Sequence, residues 1–245
     1  MNALITGAAS ALGREVGAAL ESEAELRRLD DCGPVEGPGE WVEGSLVDSE
    51  AMWRAVRDID VLIHTGEPPP NLPDDSLARQ EALLDLATRG THVLFKAAVD
   101  AGVKRFVYAS TLEVFSAYPD TVYITEMYKP LPTPEPASMA RYLGEITARE
   151  FARDFPVTVT ALRLGKLVRA EEVAGQERDL MWVDIRDAAQ AFCGAIGRDQ
   201  SQAIDWGPRW AVYHICAPIP NPKFLLGRAE SIGYRPQRDF QGGIR

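Results

Sequence analysis

Short apolar runs alternate along this chain with longer stretches whose apolar residues recur every three or four positions. The first run is 3–5, and Leu12, Val16, Ala19 and Leu20 follow it at helical spacing within 11–21. Further runs at 25–29, 41–43, 60–64, 105–109, 157–162 and 212–216 read as buried strands. Helical patterns cover 49–57 (capped by Asp48 or Ser49), 77–101 (bent near Gly90), 138–155, 184–196 and 222–232. Strands without a polar face, each followed by an amphipathic helix, predict a parallel sheet covered on both sides. Pro68-Pro69-Pro70 reads as a rigid connector. The loop 118–136, with proline at 130, 132, 134 and 136, reads as an extended segment laid over the sheet edge.

Composition narrows the choice of partners. The chain has 245 residues, 46% hydrophobic and 25% charged, enough for one large domain or a domain with a small appendage. A net charge of -10, with no run of Lys or Arg, disfavours nucleic acid and anionic membranes. Cys32, Cys193 and Cys216 are dispersed and odd in number, which predicts free thiols and no metal site. No basic leader precedes the first strand, and no apolar stretch reaches the roughly 18 residues of a membrane span. The expectation is a cytoplasmic protein.

The first strand breaks at Thr6-Gly7, and a helix begins near Ser10. Strand, glycine turn and helix are how a dinucleotide site opens: Gly7 turns the chain, Gly13 lets the helix pack on the sheet, and free helix amides face a pyrophosphate. The middle position of the fingerprint is Ser10, whose side chain crowds a phosphate or donates a hydrogen bond to it. Asp30 closes the second strand, 17 residues beyond Gly13. A carboxylate there accepts from adenosine ribose hydroxyls and repels a 2′-phosphate, which favours NAD over NADP. Arg14, Arg27 and Arg28 leave room for NADP.

Thr6-Gly7-Ala8-Ala9-Ser10-Ala11-Leu12-Gly13 resembles the TGxxGxxG turn of the short-chain dehydrogenase/reductases. Gly44-Ser45-Leu46-Val47-Asp48 is similar to their adenine-contacting GDLxD turn, with Ser45 in the Asp slot, and Ile63-His64-Thr65-Gly66 to their IHLA segment. Gly90-Thr91 through Ala97-Ala98, Gly102 through Thr111 and Trp182 through Ala189 resemble the extended branch, the NAD-dependent epimerase/dehydratase group. The resemblance implies a Rossmann-type doubly wound sheet over 1–165. It implies a small C-terminal substrate lobe over 166–245, mixed with the last Rossmann elements. Gly7, Ser10, Ala11, Leu12, Gly13, Asp30, Ser45, Leu46, Thr65 and Gly66 then hold the cofactor. It also implies a homodimer paired through helices 77–101 and 138–155.

The family's hydride transfer uses a tyrosine acid/base, a lysine four residues later on the same helix face, and a Ser or Thr after the fifth strand. Thr111 matches the last of these, but no Tyr-x-x-x-Lys occurs in this chain. One register puts Tyr142 and Ile146 in the two slots. The flanking Pro136, Leu143-Gly144-Glu145 and Arg163 support another, with Ala137 in the tyrosine slot and Arg141 in the lysine slot. Arg141 keeps a positive charge for the nicotinamide ribose, whereas Ala137 offers no proton. Ser110-Thr111-Leu112-Glu113-Val114-Phe115 is similar to the STDEVY of nucleotide-sugar dehydratases, but only Glu113 of its acid pair is present. Two functions follow as expectations. One is an oxidoreductase of a sugar or nucleotide sugar in which another group or water replaces the tyrosine. The other is a dinucleotide-binding regulatory or scaffold protein without catalysis. His64 is expected to pack or to touch ligand, and Trp206, Trp210 and Tyr213 to line a pocket or fill a core.

Overall fold

The computed structural model describes residues 1–69, 71–238 and 240. It begins with β1 (Asn2–Thr6), α1 (Ala11–Leu20), β2 (Glu25–Asp30), β3 (Glu40–Glu43), α2 (Ser49–Ala55) and β4 (Val61–His64). The middle of the chain forms α3 (Ser76–Asp85), α4 (Thr91–Asp100), β5 (Arg105–Thr111), α5 (Pro136–Asp154) and β6 (Thr158–Leu164). The last elements are β7 (Lys166–Val168), β8 (Trp182–Asp184), α6 (Ile185–Ala195) and β9 (Trp210–Ile215). Seven strands form one sheet in the order β3-β2-β1-β4-β5-β6-β9. Every pairing in it is parallel. The strand order reverses between β1 and β4, where an open α/β sheet places its ligand crevice.

Alternation along each strand sorts side chains between two cores. Ala3 and Ile5 of β1 pack with Leu12, Val16 and Leu20 of α1 and Phe192 of α6. Leu4 faces the other way, among Met52 of α2, Phe95 of α4 and Phe151 of α5. A smaller cluster gathers Leu112, Phe115, Ile124, Cys216 and Phe224 beyond the end of the sheet.

The helical stretch expected over 77–101 with a bend near Gly90 forms, whereas the helix expected over 222–232 does not. The 77–101 stretch is α3, a π turn over Leu86–Gly90, and α4. Apolar spacing shows a helix there but not the extra residue of the π turn, which swings Leu86 and Ala87 toward the site. The helix expected over 222–232 is absent. Only a 3₁₀ turn at Ala229–Ile232 forms, and Phe224 bridges to Ile124. Phe224, Leu225 and Leu226 are contiguous rather than periodic, and burial of Phe224 among Phe115 and Ile124 outweighs local helix preference. β7 and β8 pair as a separate parallel two-stranded sheet, each too short to show a period in sequence. Trp210 and Tyr213 lie on β9 in the main sheet, while Trp206 is exposed, and none of the three lines a pocket described below.

The register of α5 is locked from below. Glu145 is buried and accepts from Ser110 Oγ at 2.5 Å and from Arg163 Nε and Nη2 at 3.0 and 2.6 Å. This ties α5 to β5 and β6 and turns Arg141 and Ala137, one and two turns earlier, toward the strand ends.

Candidate functional site

The β1–α1 turn admits no side chain at its two glycines. Gly7 has φ +71°, and a Cβ there would lie 2.3 Å from Thr65 Oγ1. A Cβ on Gly13 would lie 2.2 Å from the Gly7 carbonyl oxygen. Ser10 is the N-cap of α1: its hydroxyl accepts from Gly13 N at 2.9 Å and donates to the Gly7 carbonyl at 2.7 Å. The serine is therefore spent inside the turn and does not reach out to donate to a phosphate. Leu12 is buried in the core, and Ala11 and Leu12 line neither cavity described below; their backbone amides belong to the first turn of α1. Thr65 is likewise buried, its hydroxyl donating to the Thr6 carbonyl at 2.9 Å, and it supports Gly7 rather than facing ligand.

Asp30 stands at the end of β2, where its Oδ2 accepts from Ala9 N at 2.8 Å and its Oδ1 from Asp31 N at 3.0 Å. With Gly7, Leu46, Glu67, Pro69 and Leu86 it lines a cavity of about 20 Å³. Asp31 lines it too, its pKa raised by burial and then by the Asp30 charge. None of the three arginines considered for NADP faces this cavity. Arg27 pairs with Glu40, Arg28 donates to the carbonyls of Val35 and Gly37, and Arg14 donates to the Ala9 carbonyl. Ser45 lies outside the cavity, its carbonyl accepting from Asp48 N, whereas Leu46 lines it.

A larger pocket of about 420 Å³ lies beside it, over the C-terminal ends of β4, β5 and β6. Leu46, Glu67, Pro69 and Leu86 line both spaces. The larger one brings together Thr111, Glu113, Ala137, Arg141 and Lys166 against an apolar wall that includes Leu83 and Leu167. Ala137 and Arg141 both line it, and Tyr142 and Ile146 do not. Tyr142 packs against the cluster around Leu112 and Phe115.

Arg141 reaches across under β4. Its Nη1 donates to the Thr65 carbonyl at 2.9 Å and its Nη2 to Glu67 Oε1 at 2.6 Å. Gly66, at φ +63°, makes room: a Cβ there would lie 2.8 Å from Arg141 Nη1. Burial works most strongly against the Arg141 charge, but Glu67, Tyr108 and Glu113 together outweigh it and raise the pKa. Thr111 Oγ1 accepts from Glu113 N at 3.1 Å, which leaves its own proton to donate. His64 lies at the back of the pocket, 2.7 Å from Thr6 Oγ1 and 3.3 Å from Thr91 Oγ1. Burial, then the Arg141 charge, pushes its pKa down to about 3, so it is neutral. Glu67 and Lys166 are site residues that sequence reasoning missed. The only signals were their positions, one after Gly66 and one after Gly165, at the ends of strands. Lys166 forms an ion pair with Asp179.

A doubly wound parallel sheet with a glycine turn at β1 and a pocket at its switch point defines a dinucleotide-binding α/β protein. The model of the NAD dependent epimerase/dehydratase family matches residues 3–191, and the chain belongs to that family. It is 28% identical over 206 residues to an NAD-dependent glucose-6-phosphate dehydrogenase of Haloferax volcanii, covering 78% of this chain and 73% of that one. It is 26% identical over 166 residues to a uronate dehydrogenase of Pseudomonas syringae, covering 66% and 58%. Among solved structures, a mutant of the Agrobacterium tumefaciens uronate dehydrogenase complexed with NAD superposes with TM-score 0.77 at 21% identity, over 97% of this chain and 84% of that one. UDP-glucose 4-epimerase of Thermotoga maritima with UDP-glucose gives 0.73 at 19%, over 99% and 96%.

The family is NAD-dependent, and the residues present here fit that cofactor. Gly7 and Gly13 form a cradle that a Cβ would fill, and Asp30 and Asp31 line the small cavity beside Gly7, which none of Arg14, Arg27 and Arg28 lines. Glu67, Pro69 and Leu86 line that cavity as well. No helix among the described residues is long and apolar enough to cross a membrane.

Proposed function

We propose that this protein is an NAD-dependent oxidoreductase that oxidises a hydroxyl group of a sugar. One observation carries the reading: Thr111, Glu113, Ala137 and Arg141 share a single pocket that continues into the space beside Gly7 and Asp30. Bound NAD supplies the hydride acceptor. The α1 amides hold its pyrophosphate, Asp30 accepts from the adenosine ribose and Arg141 donates to the nicotinamide ribose. Thr111 donates to the substrate oxygen. The apolar wall of Leu83, Leu86 and Leu167 excludes water, so these polar contacts act at low dielectric. The relatives' names point to sugars and sugar acids. A pocket of about 420 Å³ that takes both a nicotinamide and a substrate favours a monosaccharide over a nucleotide sugar. The protein works as a homodimer, which analytical ultracentrifugation tests.

The experiment is a titration with NAD and with NADP followed by thermal denaturation, then assay of NADH formation with aldoses, uronates and hexose phosphates. NAD raises the melting temperature by ligand linkage and NADP does so less. Absence of stabilisation by either dinucleotide rejects the reading.

A further inference from the structure

Oxidation of a hydroxyl requires a proton acceptor, and the tyrosine slot holds Ala137. The pocket offers five other polar groups able to carry or take a proton. Tyr108 is buried, its hydroxyl donates to the Arg141 carbonyl at 3.3 Å, and burial raises its pKa, so it keeps its proton. His64 is enclosed between the hydroxyls of Thr6 and Thr91. Glu67 is held by Arg141. Lys166 is paired with Asp179, and an ammonium has no lone pair to offer. Glu113 differs from all four. Glu113 lines the pocket, and its carboxylate has no hydrogen bond or ion pair among the described residues.

Position supports the same choice. Glu113 follows β5 in a 3₁₀ turn, Leu112–Phe115, that Thr111 caps through the Glu113 amide at 3.1 Å. Thr111 and Glu113 thus belong to one turn and line one pocket, so a hydroxyl that accepts from Thr111 lies in the space that Glu113 also lines. Glu113 is among the groups whose charge raises the Arg141 pKa, so the two side chains lie within electrostatic reach of each other.

Resting on the oxidoreductase reading above, we propose that Glu113 is the catalytic residue that accepts the substrate's hydroxyl proton, in place of the missing tyrosine. The O–H proton passes to a Glu113 carboxylate oxygen as the adjacent C–H bond breaks. Its electron pair leaves as hydride to the nicotinamide dinucleotide, and the C–O bond becomes C=O. The alcohol is oxidised, the dinucleotide is reduced, and Glu113 returns its proton to solvent.

The test uses the full chain with NAD and the best sugar of the panel. Glu113→Gln lowers kcat by roughly 10²–10⁴-fold, with melting temperature and NAD stabilisation unchanged. Adding formate restores turnover to Glu113→Ala, and Ala137→Tyr restores it to Glu113→Gln. Without cofactor, a water-soluble carbodiimide with glycinamide labels Glu113, and the sugar blocks the labelling. Turnover of Glu113→Gln within about threefold of wild type overturns the proposal, as does labelling of Glu113 that saturating sugar leaves unchanged. If wild type binds NAD but oxidises no sugar, the oxidoreductase reading falls first and takes this proposal with it.

Discussion

At the scale of single residues, the glycines of the first turn were legible because their need is steric and local. Gly7 and Gly13 have atoms at 2.3 and 2.2 Å from where a Cβ would go. The place of Asp30 at a strand end was legible, and the ribose contact proposed for it has a measurable consequence. Asp30→Asn weakens NAD binding by about 1.5–3 kcal/mol, the range for a hydrogen bond to a charged group, and narrows the preference for NAD over NADP; calorimetric titration checks both. Glu67 was not legible, because its partner Arg141 lies 74 residues away and no local pattern joins them. The Glu145–Arg163 pair was legible only as two fragments of a motif. Its energetics follow from burial: both side chains are about 5% exposed. Glu145→Ala leaves Arg163 buried without a carboxylate, at a cost of about 3–5 kcal/mol, read as a lowered midpoint in urea. That loss also releases α5, so Arg141 leaves its place beside Thr65.

Among elements, apolar periodicity found the strands and helices of the main sheet because each buries a face against a neighbour. It failed where tertiary contacts decide. The extended stretch around Phe224 answers to a distant partner, Ile124, not to local spacing. The segment after β4 has the clearest functional consequence. It was read from its prolines as a rigid connector, yet Glu67, Pro68 and Pro69 line the pocket, and Glu67 and Pro69 also line the small cavity beside Asp30. Arg141 is held by the Glu67 carboxylate. Glu67→Gln therefore frees Arg141 and removes a negative charge from the crevice. NAD binds this variant several-fold more tightly than wild type in calorimetry, while Glu67→Asp stays near wild type.

For the whole molecule, buried histidines set the response to acid. His64 and His214 are both neutral in the fold, each with its pKa pushed down to about 3 from 6.5, chiefly by burial. The unfolded chain takes up protons at these sites as pH drops below about 6.5, and the native chain does not until about 3. Their contribution to stability is thus complete above the upper value and is lost as pH falls toward the lower one. His214 also buries two ring nitrogens without a partner among the described residues. Replacing it with Leu flattens the fall of melting temperature between about pH 7 and pH 4.

The family places the chain among NAD-dependent epimerases and dehydratases, and the pocket shows Ala137 where the resemblance expects a tyrosine. The direct test of the central claim is NADH formation by the unaltered protein, with NAD saturating and each sugar of the panel offered in turn. Steady turnover on at least one monosaccharide is expected. NAD binding without oxidation of any sugar by wild type, while Ala137→Tyr with Arg141→Lys gains that activity, contradicts the oxidoreductase reading.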